Sequence, residues 1–288
     1  MTESGLLARR FRNREGVAEF DFALPGSRRL LGGRPPPGVS AMVRVRNEAR
    51  FVGRALRSIL GVFDEIVVVD NASDDDTAAV VRDVQKQTGP GHGMRLLSYP
   101  HRLARFGREH GETPADSIHS AVYFTNWALS NCRFRCVCKW DGDMVLRREA
   151  RDGLTALLAD ARSSRTKCWS LRGQTVFEST GGDFWLDPTE INEEIEVFPN
   201  ARSFRFVGHP LWEQLRRPFY ATRGVLEPVC FLELKYVGSD EFSHWSTTEW
   251  TTDRKKLEWE NFHRVREGRT GDRLQRRPPS FLDLEAAG

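Results

Sequence analysis

Between about residues 39 and 150 the chain alternates two hydrophobic rhythms. Val39–Val45 (VSAMVRV) is a short β-prone run. Phe51, Val52, Ala55, Leu56, Ile59 and Leu60 then recur at the spacing of an amphipathic helix. Ile66-Val67-Val68-Val69 is a continuous β-branched run, as a strand covered on both faces requires, and it ends at Asp70. Ser73, with Asp76 three residues on, predicts a capping box that opens a helix carrying Val80, Val81 and Val84 inward. Met94–Tyr99 predicts a third strand. Thr113-Pro114-Ala115-Asp116 predicts a helix start, with Thr113 as cap, Pro114 at the first helical position, and Ile118, Ala121, Val122, Thr125 and Leu129 on one face. Cys136–Trp140 predicts a fourth strand running into Asp141-Gly142-Asp143.

Strands alternating with helices predict an α/β fold, Rossmann-like, with a mostly parallel central sheet and helices on both faces. Ligands of such sheets bind beyond the carboxyl ends of the strands. Arg46-Asn47-Glu48, Asp70-Asn71 and Asp141-Gly142-Asp143 all fall at those ends, so three strands point their chemistry at one edge. Outside the alternating region the pattern fades. Residues 1–38 are rich in Arg and Gly and close on Pro35-Pro36-Pro37-Gly38, which predicts a flexible extension. Residues 151–263 form a second half, expected to bind an acceptor. Residues 264–288, with many charges and Pro278-Pro279, predict a disordered tail.

The balance of 43 basic and 40 acidic side chains argues against a general nucleic-acid binder, so no nucleic-acid partner is expected. No run approaches the roughly 20 apolar residues that cross a bilayer, and no apolar stretch follows the N-terminal Arg pairs. A cytoplasmic protein is expected, with at most peripheral membrane contact through the basic N-terminal arm. Five cysteines suggest free thiols. The C-x3-C-x-C spacing of Cys132, Cys136 and Cys138 suits no usual zinc site, which leaves them as small core fillers.

Asp141 and Asp143, one Gly apart at a strand end, are placed to share a hard divalent cation, Mn²⁺ or Mg²⁺, with substrate phosphates. The bare D-x-D pattern is expected roughly once by chance in a chain of this length, so its context carries the weight. Asp74-Asp75-Asp76 contains the same pattern but opens a helix, where acids in the first turn offset the helix dipole.

Three pieces in order carry a resemblance: Val39–Glu48, then Ala55-Leu56-Arg57-Ser58-Ile59-Leu60, then Asp64-Glu65-Ile66-Val67-Val68-Val69-Asp70-Asn71-Ala72-Ser73-Asp74-Asp75-Asp76-Thr77. With Asp141-Gly142-Asp143 about 70 residues later, they resemble family 2 glycosyltransferases of GT-A fold over about residues 39–150. The resemblance implies a metal-dependent, inverting glycosyltransferase that moves a sugar from a nucleoside-diphosphate sugar, UDP favoured, to a glycan, lipid-linked or small-molecule acceptor. It implies that Arg44, Arg46, Glu48, Asp70, Asn71 and Asp141 bind the nucleotide sugar and that Asp141 and Asp143 bind the metal.

The family segment that usually closes with a His-Glu pair is similar to Glu196–Glu213 here, with Trp212 in the place of the His. Glu213 is the first candidate for the base that deprotonates the acceptor; Asp183, Asp187 and Asp240 are alternatives on polar, Gly-flanked segments. Relatives often carry a metal-binding His in a strand like Phe231–Tyr236, where Glu233 is the candidate third ligand in this chain. Trp169, Trp185, Trp212, Trp245, Trp250 and Trp259 offer rings for stacking on sugars or for packing. Two other readings remain: a non-catalytic nucleotide- or glycan-binding relative, kept open by Trp212, and a nucleotidyltransferase on a related fold. The latter would need a Gly-rich phosphate loop that residues 46–53 (RNEARFVG) lack.

Overall fold

The computed structural model describes residues 10–23, 35–88, 93–240, 242 and 252–282. In chain order its elements are β1 (Arg10–Phe11), β2 (Phe22–Ala23), β3 (Val39–Val45), α1 (Val52–Ser58), β4 (Glu65–Asp70), α2 (Thr77–Thr88), β5 (Met94–Ser98), α3 (Arg108–Glu112), α4 (Ala121–Ser130), β6 (Cys136–Asp141), β7 (Met144–Leu146), α5 (Arg151–Ala161), β8 (Lys167–Glu178), β9 (Phe184–Leu186), β10 (Asn192–Pro199), β11 (Arg205–Gly208), β12 (Glu213–Arg216), β13 (Thr222–Tyr236), α6 (Asp253–Arg266) and β14 (Gln275–Arg277).

The parallel core runs β6-β3-β4-β5. Its strands are two-faced. Val39, Ala41, Val43 and Val45 of β3, with Ile66 and Val68 of β4, pack under α1, α2 and α5; Met42, Val67 and Val69 pack under α4 on the other face. Helices therefore cover both faces, as the alternation predicts. Beyond β6 the sheet turns antiparallel: β10 pairs with β6 and β8 pairs with β10, while β13 runs parallel to β8 and antiparallel to β7. Short turns such as the one from Ser179 to Asp183 permit the hairpin pairing that a crossover helix would not. Strands β8, β9, β10 and β13 of residues 151–263 thus continue the same ten-stranded sheet, β11 and β12 pair as a separate hairpin, and one apolar cluster spans Val39 to Phe231.

The elements of the parallel region lie where the periodicity predicts them, within a residue or three, but two helix starts differ. The Ser73–Asp76 capping box does not form. Asp75 instead accepts from the Thr77 backbone N–H at 2.9 Å, and Ser73 turns back to donate to Asp70 at 2.5 Å. Thr113 ends α3 rather than opening a helix, and α4 begins at Ala121 with the Ser120 hydroxyl accepting from the Val122 N–H at 3.2 Å. A Thr-Pro pair is equally suited to the turn found there.

Both expected tails are corrected in part. Residues 10–23 dock on α4: the Tyr123 hydroxyl donates to the Phe11 and Phe20 carbonyls, and Phe20 packs edge-on against Tyr99. Near the other end β14 pairs with β9 and Leu282 is fully buried. Aromatic anchors on short segments outweigh their polar composition. Residues 1–9, 24–34 and 283–288 lie outside the described residues, as do Trp245 and Trp250. All five cysteines are buried free thiols, consistent with core filling. No helix among the described residues is long and apolar enough to cross a membrane.

Candidate active site

Strand periodicity builds the site. On β3 the side chain after Met42 on the α4 face is Arg44, and the β3–β6 register sets Arg44 opposite Asp141. Its guanidinium donates to Asp141 Oδ1 at 3.0 Å, to the Thr125 hydroxyl of α4 at 3.0 Å, and to Glu213 at the start of β12 through a short hydrogen bond. Glu213 lies 169 residues from Arg44 in sequence, and its side chain is only 6% exposed. Burial lowers the Arg44 pKa, but Asp141 and Glu213 outweigh it and raise it above its ordinary value. Lys139, two residues before Asp141 on the same strand face, sits 3.8 Å from Asp141, 3.4 Å from Glu194 and 3.6 Å from Glu196. Partial burial raises the Asp141 pKa, yet Arg44 and then Lys139 pull harder, and the carboxyl is held down at about 2. Glu196, on the β-bulge of β10, is the counterweight. Burial pushes its carboxyl up, Lys139 resists, and the neighbouring Glu194 and Asp141 add to the rise, to about 8. Its Oε2 is buried without a hydrogen-bond partner.

The second strand end is stitched to the first. Asn47 and Ala72 both hold positive φ, at 54° and 47°, conformations that a non-glycine residue adopts only when its surroundings impose them. The Asn47 N–H donates to Ser73, Glu48 N–H to Thr77, Ala49 N–H to Asp75, and Asp74 N–H to the Asn47 side chain, all at 2.7–3.1 Å. Asp75 is therefore a clamp between loops; it precedes α2, whose first turn carries no acid, so the expected first-turn acids are not found. Asn71 donates to the His101 carbonyl at 2.6 Å and accepts from Arg46 at 3.5 Å, while Asp70 holds Ser73. Arg46, Glu48, Asp70 and Asn71 thus line one stitched edge beside Asp141.

Gly142 explains the spacing of the two acids. A Cβ there would stand 2.6 Å from Val45 Cγ1 and 3.3 Å from Glu48 Cγ, so only glycine lets the Asp141–Asp143 turn close onto the end of β3. Asp143 then meets a cation that the sequence reading missed. Lys235 Nζ lies 2.9 Å from Asp143 Oδ2 and 3.0 Å from Glu233 Oε1, with Lys235 and Asp143 side chains 9% and 7% exposed. Burial raises the Glu233 pKa, but Lys235 and then Lys255 outweigh it, and the carboxyl is lowered.

The predicted acids separate into two groups. Asp141, Asp143 and Glu213 converge through Arg44 and the Gly142 turn. The alternatives for the base do not join them: Asp183 pairs with Arg276 at 2.7 Å on the far sheet edge, Asp187 is buried against Thr189 and Arg273, and Asp240 is exposed beside Arg105 at 3.4 Å. Glu233 is near Asp143, but its carboxylate faces Lys235. Among the described residues no three His, Cys, Asp or Glu side chains form a set that could hold a metal ion. Asp141 and Asp143 still fit a Mg²⁺ or Mn²⁺ ion, because both are hard oxygen donors one residue apart in a turn, Asp141 is held ionised by Arg44 and Lys139, and such ions commonly complete their shell with phosphate oxygens and water.

Comparison with known proteins bears on this edge directly. Residues 40–107 match the family model described as Glycosyl transferase family 2. That segment is where the chain resembles glycosyl transferase family 2. It carries the stitched loops 46–49 and 71–77 but ends before the D-x-D pair. Over 134 residues the chain is 39% identical to an uncharacterized glycosyltransferase of Rickettsia felis, covering 46% of this chain and 38% of that protein. A second uncharacterized glycosyltransferase, of Rickettsia conorii, is 24% identical over the same length, covering 39% of it. The match spans about two-fifths of the length of these curated relatives. Among solved structures, the chain aligns with a mannosyltransferase of Pyrobaculum calidifontis bound to GDP-Man and Mn²⁺ at 26% identity and a TM-score of 0.33, covering 49% of this chain and 37% of that one. It aligns with glucosyl-3-phosphoglycerate synthase of Mycobacterium tuberculosis, bound to Mn²⁺, UDP and phosphoglyceric acid, at 18% identity and a TM-score of 0.30, covering 48% and 43%.

Around the family 2 segment, the residues missed by sequence reading are cations: Lys139 and Lys235. A signal for each was present. Lys139–Asp141 and Glu233–Lys235 are spaced by two on strands, which places each pair on one face. Thr125 was read only as part of a helix face, and its hydroxyl is the third partner of Arg44.

Proposed function

We propose that the chain is a glycosyltransferase that moves a sugar from a nucleoside-diphosphate sugar, UDP-linked by preference, to an acceptor hydroxyl with inversion at the anomeric carbon. The observation that carries this reading is the joining of Asp141 and Glu213 by Arg44, a residue of the family-like segment, with Asp143 one glycine beyond Asp141. Asp70, Asn71, Arg46 and Glu48 take the nucleoside at the stitched edge. Asp141 and Asp143 would hold a divalent ion, which would supply positive charge to the departing diphosphate.

The remaining steps belong to this chain's own side chains. Arg44 presents a planar, permanently charged fork, suited to exchanging Glu213 for phosphate oxygens when the donor enters. That exchange frees the Glu213 carboxylate. The acceptor oxygen then bonds to the anomeric carbon as the bond from that carbon to the diphosphate oxygen breaks, and the hydroxyl proton passes to Glu213. Trp212, half-buried and stacked on His209 with ring centroids 4.3 Å apart, stands next to Glu213 in sequence and offers a face for the acceptor. Lys235 holds Asp143 until the ion arrives.

The test is donor turnover by the full chain with UDP- and GDP-sugars. Activity should need Mn²⁺ or Mg²⁺, vanish with chelator and return on adding metal. Asp143→Ala should lose both transfer and metal-dependent nucleotide binding while melting as a folded protein. Full activity of that variant, or turnover in chelator, would remove the metal assignment. Nucleotide binding without any transfer would favour the non-catalytic relative.

A further inference from the structure

Phe219 and Tyr220 stand out on the surface next to Ala221, which packs against the core cluster that also holds Phe206. Phe219 is 100% exposed and Tyr220 52%, with their rings edge-to-face at 5.4 Å. They cap the turn between β12 and β13, closed by the Ala221 N–H donating to the Pro218 carbonyl at 3.0 Å. The tip is thus convex and held in shape. Arg216 and Arg217 precede it, both exposed, and Arg205 lies directly across the hairpin from Arg216.

Charge is segregated in the same stretch. Residues 201–226 hold five arginines and one acid, Glu213, a larger excess than the +3 of the whole chain. That acid is buried on Arg44, so it does not offset the surface field. Arg223 is engaged with Glu193, which leaves Arg202, Arg205, Arg216 and Arg217; of these Arg216 and Arg217 precede the aromatic tip and Arg205 faces Arg216 across the hairpin.

We propose that this tip docks the protein on an anionic lipid surface, with Phe219 and Tyr220 entering the headgroup region and the arginines meeting lipid phosphates. Aromatic side chains concentrate at membrane interfaces, and basic residues near an anionic bilayer are attracted within a Debye length. A convex two-ring tip offers little area to a protein partner, whose interface would need a broad complementary patch. Single-stranded nucleic acid would need a charged groove with successive stacking platforms. The proposal does not depend on the glycosyl-transfer reading. It also differs from contact through the N-terminal arm, because the residues named are on the hairpin.

The experiment is sedimentation of the full chain with phosphatidylcholine vesicles, with and without roughly 30% phosphatidylserine, at low and high salt. Wild type should bind the anionic vesicles and release in salt. The double variant Phe219→Ser/Tyr220→Ser and the double variant Arg216→Gln/Arg217→Gln should each cut partitioning about 10-fold or more. Arg216→Lys/Arg217→Lys should keep most of it. All of these positions are exposed, so melting temperatures should stay at the wild-type value, and an aromatic variant that melts normally but fails to bind supports the proposal. Three results would overturn it: wild type left in the supernatant with anionic vesicles, variants that partition like wild type, or binding to an acidic peptide or RNA in place of vesicles.

Discussion

Replacing Arg44 with Met isolates the linkage on which the site is built. Arg44 is the ion-pair partner of Glu213, whose side chain is only 6% exposed, and one of two cations beside Asp141. Met keeps much of the volume and removes the charge. Asp141 retains Lys139 and some solvent. Glu213 retains only the Thr125 hydroxyl at 3.4 Å, a weak contact that leaves a carboxylate charge buried. Breaking a buried pair from one side costs about 3–5 kcal/mol, against near-neutral removal of both charges. For a chain of this size that corresponds to a fall of roughly 10 °C in melting temperature. Urea titration and thermal melting of four proteins would measure it: wild type, Arg44→Met, Glu213→Gln, and the double variant. The double variant should recover at least about 1.5 kcal/mol relative to the sum of the singles, as coupled buried groups do. A loss below about 1 kcal/mol in Arg44→Met, or a double variant that is simply additive, would show that the pair is not a buried coupled unit and that Arg44 does not order Glu213.

Other outcomes follow from single contacts. Gly142→Ala should cost about 1–3 kcal/mol through overlap with Val45 and should weaken nucleotide binding by tilting the Asp141–Asp143 turn; wild-type melting together with wild-type affinity would contradict the close approach. Glu213→Gln should bind donor at least as tightly as wild type, because Arg44 then has no carboxylate partner to give up, and should lower kcat by roughly 10²–10⁴-fold in a single-turnover assay; normal turnover would move the base elsewhere. Glu196 has a folded-state pKa raised from 4.5 to about 8, so the folded protein binds its proton more tightly than the unfolded chain. Its contribution to stability is complete below about pH 4.5 and is lost as pH rises to about 8. Glu196→Gln should flatten the decline in urea midpoint across that window, leaving a smaller slope from Glu190, which is raised by burial to about 7. An unchanged slope would mean that Glu196 is ionised in the fold.

The sequence by itself determined the parallel half and the edge where its chemistry lies. Val39–Val45 and Glu65–Asp70 are strands because their β-branched runs have no other way to bury both faces, and the helices between them follow from spacing alone. Asp70 and Asp141 were legible as candidates because they end β4 and β6, and Asp143 because it follows Asp141 in the turn before β7. Local patterns carry no information on what a side chain will meet from far along the chain, and there the tertiary structure decided. Arg44 finds Glu213 at a separation of 169 residues, Asp143 finds Lys235 at 92, and both pairings come from sheet register and the β11–β12 hairpin. Asp183 has the composition of a catalytic acid but was carried to the outer sheet edge beside Arg276, and Asp240 pairs with Arg105 in an exposed position. Burial was equally hidden: short polar segments at 10–23 and 275–282 read as tails, yet a few aromatic and aliphatic anchors fix them to surfaces that exist only once the sheet has formed. Periodicity is set by each residue's near neighbours, whereas a charge's partner is set by where the whole chain brings it.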